Sequence, residues 1–273
     1  MKTFALALGA GGARGLAHIA VVEALDEMGV KPVAIAGVSI GAVIGAGYAA
    51  GMSGRAMRRH LIALAHDRGE VLRRVMGARA VAWSEILSAG FGNPLVVDGA
   101  KFCEAFIADL VPQSFADLTI PLTLIAADLH TREALTFTEG PLRPAVAASM
   151  AVPGLVRPIE HNGRVLVDGG VVDPLPFTAL RGKADVIVAV DVSGGAAEAQ
   201  SIPDPWEAMF AAITLMGHTI VAEKLKSGAP DLLVRPNIGI FRMLDFFQAS
   251  AILRAAEPVK AEVKERLGRL LAD

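Results

Sequence analysis

The chain has 273 residues, of which 53% are hydrophobic, and it carries 26 lysines and arginines against 28 aspartates and glutamates. This length allows one large α/β domain with a substantial core, or two small domains, and the near-neutral charge gives no electrostatic support for a nucleic-acid partner. The single cysteine, Cys103, excludes an internal disulfide, and no cluster of cysteine and histidine has metal-ligand spacing. We therefore expect no metal and no other cofactor.

The first predicted element is a buried strand at the N-terminus. The apolar run from Thr3 to Leu8 is too short for the hydrophobic region of a signal peptide, and glycine interrupts it. Residues 15–29 then have the apolar spacing of an amphipathic helix, with Gly29 at its end. A strand followed closely by a helix is the beginning of an α/β pattern.

A glycine-rich loop, GAGGARG from Gly9 to Gly15, lies between this strand and this helix. A dinucleotide-binding loop would need glycine at the sixth place, where Arg14 stands. An oxyanion hole would use the backbone N–H groups of Gly11, Gly12 and Ala13, and a tight turn that needs positive φ is the third interpretation. We favour the oxyanion hole.

Arg14 is a cation in the first turn of the predicted helix, where it opposes the helix dipole. We therefore expect it to contact an anion, a carboxylate that holds the loop, or main-chain carbonyls. It is assigned a supporting role in the loop, together with Gly15.

The next 20 residues, 33–52, are uncharged and long enough to span a bilayer. The first part is β-branched and compact, whereas the second part is rich in glycine and alanine and compatible with a helix. A strand, a sharp glycine turn and a buried helix explain this division better than one membrane-spanning helix.

Ser39 lies at the predicted turn, in the pattern Gly37-Val38-Ser39-Ile40-Gly41. A nucleophile on a tight strand-to-helix turn needs small neighbours two positions away on each side, and Gly37 and Gly41 meet that need. The alternative is a serine that caps the helix. The strand–turn–helix context favours the nucleophile.

Residues 53–79 carry seven arginines against two acidic residues. This segment could face anionic lipid head groups, although a solvated helix face is the default interpretation. Farther along, the segments 205–217 and 238–247 contain several aromatic and methionine side chains. These could line an acyl pocket or a lid, but helix-spaced aromatics belong more often to the core.

Later apolar runs predict strands at 121–129, 134–139, 164–168, 185–193 and 231–237, with an Asn162-Gly163 hairpin turn before the third and an amphipathic helix at the C-terminus. The alternation predicts an α/β fold, in which helices cover a mostly parallel sheet. Residues 194–205 are the most linker-like stretch, but they are interpreted as a surface loop, so that 1–273 form a single domain.

Three aspartates end apolar strands, namely Asp128, Asp168 and Asp191, and any of them could organise a loop. Asp168 is favoured as a general base because Gly169 and Gly170 follow it and leave its carboxylate exposed to a neighbour. Its apolar flanks would raise its pKa by desolvation. The late His218 is interpreted as a structural residue of an apolar helix.

Four motifs, GAGGARGLAHI, GVSIGA, SMAVPGLVRPI and VDGGVVDPLP, occur in this order between residue 9 and residue 176. Together they resemble the patatin-like phospholipases, particularly the short bacterial members. The resemblance implies a three-layer α/β/α sandwich and a catalytic dyad of Ser39 and Asp168 without histidine. It also implies that Gly11, Gly12 and Ala13 form the oxyanion loop, with Arg14 as its basic residue.

The implied function is acyl ester hydrolysis of a lipid through an acyl-enzyme on Ser39, as a phospholipase A, a lysophospholipase or an esterase. An acyltransferase or thioesterase that uses the same serine, or a non-catalytic lipid-binding regulatory protein, are the alternatives. The expected partners are a lipid or ester substrate and a membrane surface contacted peripherally. The expected location is the cytoplasm, including the inner membrane surface, and no oligomeric state is predicted.

Overall fold

The computed structural model of the chain describes residues 2–78, 97–194 and 202–272. Within them, the strands are β1 Phe4–Leu8, β2 Ala34–Val38, β3 Leu122–Asp128, β4 Glu133–Phe137, β5 Ile159–His161, β6 Arg164–Asp168, β7 Val186–Val190 and β8 Leu232–Val234. They form one mixed sheet.

The described helices are α1 His18–Met28, α2 Ile40–Ala49, α3 Gly54–His66, α4 Arg68–Gly77, α5 Gly99–Phe106, α6 Leu142–Ser149, α7 Pro205–Lys226, α8 Ala249–Ala256 and α9 Val259–Ala272. The helix predicted after the glycine loop begins with a 3-10 turn, Gly12–Ala17, and α1 ends at Gly29 with φ of 69°.

Five strands, β3, β2, β1, β7 and β8, are parallel neighbours in that order, while β4, β5 and β6 add antiparallel pairs. One edge of β3 is shared by two strands that run toward each other. β2 pairs with the first half of β3 and ends with Val38 opposite Ile125. β6 pairs with the second half and ends with Asp168 opposite Ala126. The carboxyl ends of β2 and β6 therefore meet.

The two faces of the sheet bury different side chains, as the period of two in a strand requires. Phe4, Leu6 and Leu8 of β1 join the larger core, which packs against α1, α2, α8 and α9. Ala5 and Ala7 face the opposite side, where Leu175, Phe177 and Val221 cover them. Helices on both faces of the sheet confirm the predicted three-layer α/β/α sandwich.

The uncharged stretch 33–52 folds as predicted, with a strand, a turn at Ser39 and a buried helix. The Asn162-Gly163 turn also occurs as predicted, since it joins β5 to β6 with both residues at positive φ. By length and composition, one helix of the described residues, α7, could cross a membrane. Of its most apolar 18-residue stretch, 11% is buried. Arg79 and most of the predicted loop 194–205 lie outside the described residues.

Candidate active site

Ser39 occupies the sharp turn between β2 and α2. Its backbone has φ of 56° and ψ of −127°, a conformation that residues with a side chain rarely adopt. The predicted need for small neighbours is visible in the packing, because a Cβ on Gly37 would lie 2.5 Å from the carbonyl oxygen of Gly41, and one on Gly41 would collide with the carbonyl of Leu8. This is the backbone geometry of a nucleophile elbow.

The hydroxyl of Ser39 is directed at Asp168. Its Oγ donates a hydrogen bond to Asp168 Oδ2 over 2.6 Å, and both side chains are buried. The side chain of Ser39 makes no cap bond to α2, so the interpretation as a helix cap is wrong. The two residues meet because β2 and β6 end head to head along β3, although 129 positions separate them in the chain.

The carboxylate of Asp168 is 5% exposed, and its second oxygen accepts a hydrogen bond of 2.7 Å from the N–H of Gly170. Burial raises the pKa of Asp168 to about 6, and the hydrogen bonds from Ser39 and Gly170 oppose that rise. Such a carboxyl is a stronger base than an exposed aspartate and is still ionised at neutral pH. These are the properties that a general base for serine needs.

The other two strand-ending aspartates are engaged in loops. Asp128 accepts hydrogen bonds from the N–H groups of residues 130 and 131 and pairs with Arg164. Asp191 accepts bonds from Ser193 and pairs with Arg235. Both carboxylates therefore have the loop-organising role that the sequence left open for them. None of these bonds involves Ser39.

Two histidines near the site act as structural donors. His18 is fully buried and donates from Nε2 to the carbonyl of Gly9 over 2.9 Å, while burial lowers its pKa to about 4. His218 lies on α7 and bonds through Nε2 to the carbonyl of Gly194 over 2.6 Å. The structural interpretation of His218 agrees with this bond.

The glycine loop follows β1 and lies beside the Ser39 turn. Among the described residues, the N–H groups of Gly11 and Gly12 have no hydrogen-bond partner, whereas the N–H of Ala13 is donated to the carbonyl of Met243 over 2.7 Å. Gly12 has φ of 58°, and a Cβ there would collide with Met243. The N–H of Ala13 is thus already engaged by Met243, and the assignment of an oxyanion hole to Gly11, Gly12 and Ala13 stays a prediction.

The other glycines that were predicted to support the site, Gly15, Gly169 and Gly170, lie too close to neighbouring residues for a side chain. A Cβ on Gly15 would collide with Ile40, one on Gly169 with the carbonyl of Ile125, and one on Gly170 would lie 3.0 Å from the Cβ of Ala10. The three glycines therefore let the loops of β1, β2 and β6 approach one another at the Ser39 turn.

Arg14 is 7% exposed and contacts no carboxylate directly in the described part of the chain. Its Nε and Nη2 lie 3.4 Å from the carbonyl of Gly11 and the hydroxyl of Thr214, respectively. Burial lowers its pKa, and the charge of Asp191 opposes that effect. Of the contacts predicted for Arg14, the main-chain carbonyl is the one observed.

Ser149, the last residue of α6, is part of the site although sequence reasoning assigned it no role. Its Oγ accepts a hydrogen bond of 3.0 Å from the N–H of Ser39, and its side chain is fully buried. The residue begins the motif SMAVPGLVRPI, but no local pattern connects it with a turn 110 positions earlier. The bond links the strained turn to the end of α6.

A cavity of about 500 Å³ adjoins the Ser39–Asp168 pair. Its walls are mainly aliphatic and aromatic, and α3, α4 and α5 supply much of them through Leu61, Leu64, Val71, Val75, Phe102 and Phe106. Ser39, Asp168, Gly11 and Gly12 supply polar groups at one end, and Arg14, Ser193 and Thr214 are further polar residues of the lining. This combination of an apolar cavity and convergent polar groups is typical of a site for a largely apolar ligand.

The aromatic segments only partly follow the core interpretation. Phe241 is buried, as predicted, but Phe246 and Phe247 line the cavity and are 41% and 53% exposed, and Trp206 is 50% exposed. The interpretation as core is therefore wrong for these three.

In the arginine-rich segment, the guanidinium groups of residues 58, 73 and 74 pair with glutamates of the chain. Its contact with lipid head groups stays a prediction.

No group of three histidine, cysteine or acidic side chains with metal-binding geometry occurs among the residues that the structure describes. The side chain of Cys103 is buried, and burial raises its pKa to about 12.

The chain is similar to several curated proteins that are named NTE family proteins or lysophospholipases. It is 39% identical over 195 residues to an uncharacterized NTE family protein of Mycobacterium tuberculosis. The aligned region covers 71% of this chain and 50% of that protein. It is 28% identical over 290 residues to lysophospholipase NTE1 of Coccidioides immitis. That aligned region covers 97% of this chain and 18% of the other protein. The chain thus spans half or less of the curated relatives that it matches.

The fold is similar to that of VipD from Legionella pneumophila. The two structures superpose with a TM-score of 0.53 at 16% sequence identity, over 97% of this chain and 66% of VipD. A family model described as patatin-like phospholipase matches residues 6–181. All four predicted motifs, including Ser39 and Asp168, fall within that range.

Proposed function

The chain belongs to the patatin-like phospholipase family, and we propose that it is a serine hydrolase of lipid acyl esters, acting as a phospholipase A, a lysophospholipase or an esterase. One observation carries this proposal. The hydroxyl of Ser39 donates a hydrogen bond directly to a buried carboxylate, that of Asp168, beside an apolar cavity large enough for an acyl chain.

In the first half of the reaction, Ser39 Oγ attacks the carbonyl carbon of the ester, and Asp168 accepts the hydroxyl proton. The N–H groups of Gly11 and Gly12 donate to the oxygen on which negative charge develops, because they have no other partner among the described residues. Asp168 then returns the proton to the departing alcohol. The products are that alcohol and an acyl-enzyme on Ser39.

In the second half, Asp168 accepts a proton from a water molecule that attacks the acyl-enzyme, and the proton then returns to Ser39. The fatty acid leaves and the free serine is restored. No histidine takes part in this scheme, in agreement with the hydrogen bonds of His18 and His218 to main-chain carbonyls. The names of the curated relatives, which include lysophospholipases, support a lipid substrate.

The test is hydrolysis of p-nitrophenyl esters of increasing chain length, followed by phospholipid and lysophospholipid vesicles or micelles. Ser39→Ala and Asp168→Asn should each lower kcat by at least a thousandfold while the circular dichroism spectrum stays native, and a chelator should change nothing. Asp128→Asn is the matched control, because Asp128 is also a buried strand-ending aspartate but does not contact Ser39.

Activity that survives loss of Ser39 would contradict the proposal. An acyl product on an added alcohol or thiol in place of free fatty acid would assign the same serine to an acyltransferase. If the wild-type chain bound lipid but hydrolysed none of the esters, a non-catalytic lipid-binding role would replace the proposal.

A further inference from the structure

The outward face of α7 has an unusual composition for a surface helix. Residues 208–222 contain no aspartate, glutamate, lysine or arginine. The exposed positions in this range, which we call the α7 outer face, are Ala208, Ala211, Ala212, Leu215, Met216, Thr219 and Ala222. A helix exposed to water normally carries charged side chains on its outer face, so this face is suited to apolar surroundings.

The inner face of α7 packs directly on the proposed site. Thr214 lies within hydrogen-bond distance of Arg14 in the glycine loop, and Gly217 packs against Pro174, which follows Asp168 by six residues. Ile213, Thr214 and Gly217 line the cavity. The helix therefore separates the cavity from the exterior, with its apolar outer face outermost.

A second exposed apolar segment, 240–247, continues this surface to the cavity. An ion pair between Arg242 and Glu207 joins the segment to the first turn of α7. Ile240 is 82% exposed, and Leu244, Phe246 and Phe247 are exposed while they also line the cavity. The α7 outer face, Trp206 and segment 240–247 thus form one exposed apolar surface that reaches the cavity wall at Leu244, Phe246 and Phe247.

The charges in this surface are few and engaged within the chain. Arg242 is paired with Glu207, and Asp245 accepts the N–H of Arg242. Such a surface gains free energy by removing apolar area from water rather than by attracting anionic groups. Tryptophan, phenylalanine and leucine, which this surface presents, are residue types that interfacial helices bury at the boundary of a lipid layer.

We propose that this surface docks on the zwitterionic surface of a phospholipid layer, so that an acyl chain passes from the layer into the cavity without crossing water. The occupant is a lipid layer rather than a second protein chain, because the apolar surface is continuous with the cavity that the acyl chain must enter. This inference rests on the proposed function for its purpose, but lipid docking itself needs no catalysis.

Docking can be measured with the Ser39→Ala chain, which leaves the lipid intact. We expect it to sediment with phosphatidylcholine vesicles, and the bound fraction should not depend on salt. In a Trp83→Phe background, in which Trp206 is the single tryptophan, the emission should shift to shorter wavelength on binding. Leu215→Glu with Met216→Glu should weaken the partition coefficient at least tenfold.

Leu129→Glu is the matched control, because Leu129 is 53% exposed in the turn between β3 and β4 and lies outside the α7 outer face. It should leave vesicle binding within a factor of two of the Ser39→Ala chain. Equal loss in both variants, a requirement for anionic lipid, or no binding at all would overturn the docking surface. A dimer that the double variant dissociates would assign the face to a second copy of the chain and would also overturn it.

Soluble esters separate this inference from the proposed function. With Ser39 present, the double variant should hydrolyse p-nitrophenyl butyrate as fast as the wild-type chain and hydrolyse vesicle phospholipid at least tenfold more slowly. If the wild-type chain hydrolysed no ester but Ser39→Ala bound vesicles as described, the proposed function would fail and the docking surface would stand.

Discussion

At the scale of single residues, Ser39 has an energetically unfavourable backbone conformation and Asp168 has an energetically unfavourable buried carboxylate. Ser39 has a side chain at a backbone conformation that suits glycine, and Asp168 has its carboxylate in a buried position. Positions of this kind persist where the surrounding structure holds them, and they concentrate at functional sites. Variants that relieve either state should therefore be more stable and less active.

The raised pKa of Asp168 predicts how activity depends on pH. The carboxyl must be ionised to accept the proton of Ser39, and its pKa is about 6. We expect kcat/KM for a soluble ester to rise about tenfold per pH unit below pH 6 and to level off above it. The pH profile with p-nitrophenyl butyrate tests this expectation, and a profile that is flat between pH 5 and pH 8 would contradict it.

The same shift predicts the stability of Asp168→Asn. Since burial raises the pKa of Asp168 from its ordinary value of 3.8 to about 6, its contribution to folding stability is fully present below pH 4 and is lost as the pH rises through 6. At pH 8 the ionised group costs the wild-type chain up to about 3 kcal/mol. The neutral asparagine avoids this cost.

Urea unfolding should thus show Asp168→Asn to be more stable than the wild-type chain by about 1–3 kcal/mol at pH 8 and about equal to it at pH 4. The reverse order at pH 8 would mean that the carboxylate is stabilised in its buried position by groups other than Ser39 and Gly170.

The strain at Ser39 predicts a difference between two inactive variants. Ser39→Ala keeps a Cβ at φ of 56°, whereas Ser39→Gly removes it. The released strain exceeds the added entropy of the unfolded glycine chain, so the glycine variant should be more stable than the alanine variant by about 1 kcal/mol. Thermal unfolding of the two proteins measures the difference. An alanine variant of equal or higher stability would show that the turn is not strained.

At the scale of secondary-structure elements, the proposed site depends on how α6 and β6 meet the turn between β2 and α2. The N–H of Ser39 donates a hydrogen bond to Ser149 at the end of α6, and the hydroxyl of Ser39 donates one to Asp168 at the end of β6. The two bonds connect the turn to two elements that lie more than 100 positions from it in the chain. Ser149 is thus a positioning residue in the proposed reaction.

Ser149→Ala leaves the buried N–H of Ser39 without an acceptor, which costs about 1–3 kcal/mol. We expect kcat to fall about tenfold or more and KM to change little, because the cavity for the acyl chain is unaltered. Ser149→Thr keeps the hydroxyl and should recover most of kcat. Steady-state kinetics on a soluble ester decide the matter, and an alanine variant with the kcat of the wild-type chain would exclude a positioning role.

At the scale of the whole molecule, the sheet brings the loops of β1, β2 and β6 to the cavity, and helices after β2 form the cavity walls. Val75 on α4 lines the cavity, whereas Leu72 on the same helix is 63% exposed and does not. We therefore expect the volume of the cavity to limit the length of acyl chain that the proposed enzyme accepts.

Val75→Phe fills part of the cavity and should lower kcat/KM at least tenfold for esters of long acyl chains, while it changes the value for the butyrate ester less than threefold. Leu72→Phe, the matched control on α4, should leave both values unchanged. The chain-length profile of the p-nitrophenyl esters gives the comparison. A uniform loss over all chain lengths would place the long chain elsewhere.

Several sequence predictions stay predictions at this scale, namely the single domain over 1–273, the cytoplasmic location and the contact of the arginine-rich segment with lipid head groups. Each concerns the surroundings of the described residues rather than their packing.

The sequence alone determined the strands, the glycine turns and the family, because apolar periodicity and glycine spacing are local properties of the chain. It also determined that Ser39 stands at a strand-to-helix turn. Among three strand-ending aspartates it offered only a preference, since Asp128, Asp168 and Asp191 have similar apolar surroundings in the chain.

The tertiary structure alone decided which aspartate faces Ser39, because that depends on β6 running antiparallel along the edge of β3 where β2 ends. It also decided that Met243 occupies the N–H of Ala13, that Ser149 supports the turn and that α7 presents its apolar face outward. These contacts join residues more than 100 positions apart or depend on which face of a helix is covered, and neither property is written in a local pattern.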